Sequence, residues 1–265
     1  MSEIDATDGA PVLVQYWHDE DVPPYIAELM ATFRRRNPEL RQLAFNEGSA
    51  ARFIAERFGA RQAKAFEACA VPAMQADYFR YCAVHALGGI YVDANFAAQR
   101  DLQPLLDGAG RLFELPPNGP VVNGLFAFRS PGHPLLEMAI EVATLNVEKR
   151  LSPAIGLTTG PAIFSGLAQA ARGLPIDHRI VPVGPRMRPY VDSCWEALVE
   201  SLNSAIERHG AVERALDGVV ISPFAEMRSF VSKPDLRGKR RESGIRHWSH
   251  WDGPVFRSVG SETAG

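Results

Sequence analysis

Only three cysteines occur in 265 residues, Cys69, Cys82 and Cys194. They are widely spaced and form no CxxC pair, which argues against a structural zinc site and a disulfide framework and fits a reducing cytoplasm. No apolar run approaches the ~18 residues of a membrane span. The stretch from Met1 to Ala10 is acidic and polar, the opposite of a secretory signal. No GxGxxG follows a strand, and Walker A, GxSxG and HExxH sequences are all missing. Dinucleotide oxidoreduction, P-loop hydrolysis, α/β-hydrolase chemistry and zincin chemistry therefore lose their usual sequence support. A strong charge of one sign is lacking too. The formal net charge is -3, so a global attraction to nucleic acid or to an anionic membrane is not indicated.

What is there suits one large α/β domain. Hydrophobic residues make up 46% of the chain, enough for a sizeable core and too many for a disordered chain. Val12 to Trp17 is short, rich in β-formers and flanked by polar turn residues, so it predicts a buried strand. Pro24 to Arg36 predicts a helix, with Pro at its start and Ile26, Leu29, Met30 and Phe33 on one face. Leu40 to Phe45 follows as a strand. The Ala-rich stretch Ser49 to Ala70 has helical spacing, Ala73 to Leu87 forms a further helix that Gly88 closes, and Ile90 to Val92 is a strand. Strands are expected at 111–115, 121–129, 179–183 and 219–222, and helices at 133–148, 160–172 and 194–209. This alternation predicts a mostly parallel central sheet flanked by helices. Residues 11–256 are expected to form a single domain, between a disordered N-terminus at 1–10 and a disordered tail at 257–265.

One dense segment carries the chemistry. It runs Ala76-Asp77-Tyr78-Phe79-Arg80-Tyr81, then Leu87-Gly88-Gly89-Ile90-Tyr91-Val92-Asp93-Ala94-Asn95. Asp77 and Arg80 are three apart and share a helix face. The paired glycines permit a tight reversal into the strand. Ligands of open α/β sheets bind at the carboxyl ends of strands, where Asp93 stands. Residues two apart on an extended chain project to one side, so Asp93 and Asn95 are placed to reach one ion. The plainer reading makes Asp77 and Arg80 a surface ion pair and Asp-Ala-Asn an ordinary turn. Against it stands the occurrence of all these pieces in order within a short segment.

The pattern A-D-x-x-R-Y followed by L-G-G-I-Y-V-D-x-N resembles the DXD-containing sugar-binding region of glycosyltransferases. That family includes yeast initiating α-1,6-mannosyltransferases and bacterial capsular or lipopolysaccharide sugar transferases. Weaker similarities lie in Asn37-Pro38, in Asn123 to Phe126 with Pro131 to Pro134, in Thr159-Gly160-Pro161, and in His247 to Trp251. The resemblance implies a GT-A-type nucleotide-diphosphosugar transferase fold and a divalent metal, Mn2+ or Mg2+. It further implies a nucleotide-sugar donor, UDP-linked in preference to GDP-linked, and retention of anomeric configuration. The acceptor would be a saccharide, a glycolipid or a protein, and nucleic acid is not an expected partner.

On this resemblance Asp77, Arg80 and Asp93 are the catalytic candidates. Asp77 and Arg80 would hydrogen-bond the donor sugar, with Arg80 near the phosphates, and Asp93 would meet the ribose or sugar. Tyr16 or Trp17 would stack on the base, Asn123 would join the substrate contacts, and Trp251 would cover the donor. Asp93, Asn95 and His247 are the metal candidates. The family normally has a second Asp where this chain has Asn95, whose carbonyl oxygen can bind a cation without contributing negative charge. Weaker metal binding is expected. A catalytically lapsed nucleotide-sugar-binding homologue and a nucleotide-sugar hydrolase are the alternatives. No carboxylate stands out as a nucleophile; Glu114 and Glu137 are present without a pattern to support either.

Overall fold

The computed structural model describes residues 10–178, 188–210, 212–239, 251 and 253–257. The strand expected at 179–183 and His247 lie outside them. The chain opens with strand β1 (Val12–Tyr16), helix α1 (Pro24–Arg36) and strand β2 (Arg41–Phe45). Pro24 starts α1 because its fixed φ suits a first helical turn and its missing N–H costs nothing there. Helices α2 (Glu47–Phe58) and α3 (Ala60–Ala68) follow. The expected single helix is thus two, broken at Gly59, whose φ of 86° leaves the helical region. A capping box at Asn46 and Ser49 starts α2, each side chain accepting the other residue's backbone N–H.

Helix α4 (Pro72–Leu87) leads into strand β3 (Gly89–Val92) through the two glycines. Both have positive φ, 67° at Gly88 and 92° at Gly89. A Cβ on Gly89 would stand 2.3 Å from the Val12 carbonyl oxygen of the neighbouring strand. The Gly-Gly pair therefore serves both the turn and the docking of β3 on β1.

The second half supplies β4 (Ala97–Ala98), β5 (Gly110–Glu114), β6 (Val121–Phe128), α5 (Pro134–Glu148), α6 (Ile155–Thr158) and α7 (Ala162–Ala171). Then come α8 (Arg188–His209), β7 (Val219–Pro223), α9 (Phe224–Phe230) and β8 (Val231–Ser232). Six strands form one sheet in the order β2-β1-β3-β6-β5-β7. Its pairings are parallel except those of β6 with β3 and with β5, so β6 alone is reversed. The fold is α/β with a mostly parallel sheet, as the alternation of elements predicts. A separate two-stranded pair joins β4 to β8.

Both faces of the sheet are covered. Val12, Val14, Tyr91, Phe126 and Phe128 face a large cluster shared with α2 to α5, α7 and α8. Leu13, Ile90, Val92, Leu125 and Ala127 face a second cluster with Phe33 of α1 and Met227 and Phe230 of α9. Burial on both sides explains why β1 and β3 read as continuous apolar runs. The reversal of β6 positions the site. It carries the start of β6, at Asn123 and Gly124, back to the carboxyl end of β3, where the Asp93 N–H donates to the Gly124 carbonyl at 2.9 Å.

Candidate active site

Asp77 and Arg80 sit on the buried face of α4. Their i,i+3 spacing puts Arg80 Nη2 3.0 Å from Asp77 Oδ1, and the same nitrogen is 3.1 Å from Asp93 Oδ1 at the end of β3. Arg80 Nη1 donates to the Asn123 carbonyl at 2.6 Å, and its Nε donates to the Ala76 carbonyl at 3.1 Å. The guanidinium lies over the Tyr91 ring, 4.6 Å from its centre. Arg80 is 4% exposed. Burial works against its positive charge, but Tyr91, Asp77 and Asp93 outweigh that and raise its pKa above the ordinary value. Every nitrogen of the side chain is engaged by protein. Arg80 thus ties the Asp77 and Asp93 carboxylates to the Asn123 carbonyl.

Asp77 and Asn123 extend the network. Asn123 Nδ2 donates to Asp77 Oδ1 at 3.0 Å and to the Tyr81 hydroxyl at 3.1 Å. That hydroxyl in turn donates to the Gly160 carbonyl at 3.1 Å, which brings the Thr159-Gly160-Pro161 turn to the same place. Burial pushes the Asp77 carboxyl up to about 6, against the lowering effect of Arg80. Asp93 adds to the rise and the Asn123 hydrogen bond opposes it. Asp77 is thus a carboxyl that takes up its proton at a higher pH than an ordinary aspartate, although it is in contact with a permanent cation.

Asp93 is the more open carboxylate, its side chain 25% exposed. Tyr91 donates its hydroxyl to Oδ1 at 3.2 Å. With Arg80 on that same oxygen, Oδ2 is directed toward Gly124. A Cβ there would stand 2.9 Å from Oδ2 and 3.4 Å from the tip of Phe96. The motif is not extended as the sequence reading has it. Asp93 to Phe96 is a turn in which the Phe96 N–H donates to the Asp93 carbonyl at 3.0 Å. Asp93 and Asn95 are therefore neighbours through turn geometry, and strand alternation does not apply to them. Asn95 Oδ1 is buried and has no hydrogen-bond partner.

These oxygens bear on the metal question. Among the described residues no group of three or more His, Cys, Asp or Glu side chains is placed to hold a metal ion. A magnesium-type ion in a phosphate-transfer site, however, is usually held by one or two protein oxygens plus substrate phosphates and water. One partly exposed carboxylate and one unpartnered amide oxygen on the same turn fit that mode.

The aromatic candidates separate. Tyr16 is 5% exposed, packs 5.5 Å from the Phe79 ring, and donates its hydroxyl to Gln75 Oε1 at 2.9 Å. It is a core residue, which corrects its assignment as a stacking platform. Trp17, one residue on, faces the opposite way into a small cluster with Ile26, Met30, Ala94 and Leu236, and its Nε1 is buried without a partner. Ala94 is the middle residue of the motif, so Trp17 lies beside it. Trp251 is 44% exposed and donates its Nε1 to Pro254 within its own turn. The chain after it docks near the start of α4, where the Ala70 N–H donates to the Val255 carbonyl, and near the start of α2, where Arg257 pairs with Glu47 at 2.6 Å. Tyr81, Tyr91 and Gly124 are parts of the network that sequence reasoning missed, although all three lie within or beside the quoted motifs.

Residues 23–110 match the family model described as "Glycosyltransferase sugar-binding region containing DXD motif". The segment, about a third of the chain, is similar to that sugar-binding region. The match includes Asp77, Arg80, Asp93 and Asn95 and supports transferase activity. The DXD-containing glycosyltransferases generally bind a divalent metal. No curated protein matches the chain. Among solved structures, "PaToxG Glycosyltransferase" is similar at 14% identity and a TM-score of 0.49, covering 83% of this chain and 88% of that one. Among the described residues, no helix is long and apolar enough to cross a membrane.

Proposed function

We propose that this glycosyltransferase moves a hexose from a nucleotide-diphosphosugar, UDP-linked in preference to GDP-linked, with retention of configuration. The acceptor is a saccharide, a lipid-linked sugar or a protein. We assign residues 11–256 to the transferase domain. The reading is carried by Asp93, held by Arg80 and Tyr91 at the carboxyl end of β3, inside the segment that matches the sugar-binding region.

In this reading Asp93 and Asn95, with His247, would hold Mn2+ or Mg2+. A divalent ion, when bound, would supply positive charge that favours departure of the diphosphate. The other roles belong to the chain itself. Arg80 fixes the Asp77 and Asp93 carboxylates, and Asn123 fixes Asp77, so that the sugar hydroxyls meet acceptors already in place. Trp17 packs on the base, a contact worth roughly 1–3 kcal/mol. Trp251 covers the donor and helps to exclude water. Glu114 pairs with Arg172 at 2.8 Å, and Glu137 lies 3.4 Å from His209. Neither is assigned as a nucleophile. Three unpaired cysteines agree with a reducing, cytoplasmic setting.

The test is release of free nucleoside diphosphate from UDP- and GDP-sugars by the full chain, with product analysis in the presence of candidate acceptors. Acceptor-dependent release that is lost in Asp93→Ala supports transfer. Equal release without acceptor identifies hydrolysis. The neutral Asn95 motivates one second reading, a lapsed enzyme that binds donor without turnover; saturable binding without any release supports it.

A further inference from the structure

A diphosphate bound beside Asp93 needs positive charge near it, and the DXD position that would best hold a metal is neutral here. The cations around the motif differ sharply in availability. All nitrogens of Arg80 are engaged inside the protein. Arg237 is paired with Asp235 at 2.7 Å. Lys233 is exposed, and among the described residues it makes no ion pair.

The fold brings Lys233 to the motif by a specific device. Strand β8 pairs antiparallel with β4, with Ala97 opposite Ser232 and Ala98 opposite Val231. The pair is reinforced by the Gln99 N–H donating to the Phe230 carbonyl at 2.8 Å, and by Gln99 Nε2 donating to Ser232 Oγ at 2.6 Å. Continuing that register by one step sets Lys233 opposite Phe96, the residue after Asn95. Lys233 Nζ lies over the Phe96 ring, 5.6 Å from its centre, and the tip of that ring meets the same Gly124 position as Asp93 Oδ2. A short two-stranded element, too small to stabilise much by itself, thus fixes one ammonium beside the motif. A few residues on, Leu236 packs into the cluster with Trp17 and Ala94, which holds the lysine's segment against the site from its other end.

We propose that Lys233 binds the diphosphate of the donor and supplies positive charge that the Asn95 motif does not recruit through metal alone. The inference rests on the nucleotide-sugar reading above and adds a ligand contact to it. Exposed ammonium and diphosphate attract over short range, and the ring beneath Lys233 leaves its three N–H donors free to turn to phosphate oxygens. The consequence is donor affinity that only partly depends on a divalent ion.

The test is calorimetric titration of UDP and GDP, and of the matching nucleosides, into the full chain with chelator and with manganese. For the wild type we expect saturable diphosphate binding in chelator, improved by manganese less than about tenfold. Lys233→Met should weaken diphosphate binding in chelator about tenfold or more and leave nucleoside binding unchanged, while Lys233→Arg retains most of it. Asn95→Asp should enlarge the manganese effect. Because Lys233 is exposed, the variants are expected to keep the wild-type melting temperature. Diphosphate binding that requires manganese and is equal in wild type and Lys233→Met overturns the lysine assignment and leaves the donor site standing. Absence of any nucleotide binding by folded protein, in either condition, overturns the nucleotide-sugar reading and the lysine assignment with it.

Discussion

Replacing Arg80 with methionine removes one cation from between two carboxylates and keeps most of the side-chain volume. In the wild type, Arg80 Nη2 lies 3.0 Å from Asp77 and 3.1 Å from Asp93, with Arg80 and Asp77 both buried. Breaking a buried ion pair by deleting one partner costs about 3–5 kcal/mol, because the other charge stays buried and unpaired. The cost should depend on pH in a defined direction. Burial already lifts Asp77 to about 6 in the folded protein, above its unfolded value. The folded state therefore binds more protons across that window, and the wild type loses stability as pH rises from about 4 to 6, by about 3 kcal/mol. Without Arg80 the Asp77 carboxyl rises further, so the window extends upward. The Arg80→Met penalty should be largest near pH 8 and shrink toward pH 5, where Asp77 is protonated in both proteins. Urea denaturation followed by tryptophan fluorescence at both pH values measures this. Adding Asp77→Asn should recover at least half of the loss at pH 8, since it removes the stranded charge and keeps an oxygen for Asn123. A penalty below about 1 kcal/mol, one that grows at pH 5, or no recovery in the double variant would refute the reasoning.

Gly124→Ala places a methyl group 2.9 Å from Asp93 Oδ2 and 3.4 Å from Phe96. Donor affinity should fall at least tenfold by calorimetry, with stability changed by no more than about 1–2 kcal/mol because the carboxylate is partly exposed and can move. Tyr81→Phe leaves Asn123 Nδ2 short of one acceptor and the Gly160 carbonyl without its donor. A loss of about 1–3 kcal/mol in stability is expected, with donor affinity reduced several-fold as Asn123 loses its orientation. An unchanged melting temperature would count against that bridge.

The sequence made some parts of this plain and hid others for physical reasons. Helix α1 is legible to its ends because Pro24 marks its start and its apolar face repeats through Phe33. The break between α2 and α3 is hidden, since Phe53, Phe58 and Phe66 keep a helical period across Gly59. Strands β4 and β8 have two residues each, too few for any pattern, and so the approach of Lys233 to the motif is invisible in sequence. Helix α9 is not among the expected elements; it has seven residues and no side-chain cap to announce it. At the site, i,i+3 spacing correctly joins Asp77 to Arg80. Period-two reasoning fails at Asp93 to Asn95 because the strand has already ended at Val92. It is the same period that separates Tyr16 from Trp17, one into the core and one toward the motif.

The central claim is that Asp93 anchors a nucleotide-diphosphosugar at the carboxyl end of β3. Titration of UDP, GDP and several of their sugars into wild type and Asp93→Ala, each with and without manganese, tests it most directly. The account predicts saturable binding to one nucleotide class by the wild type, weakened at least tenfold in a folded Asp93→Ala. Equal binding by the two proteins, or none by a folded wild type, would contradict it.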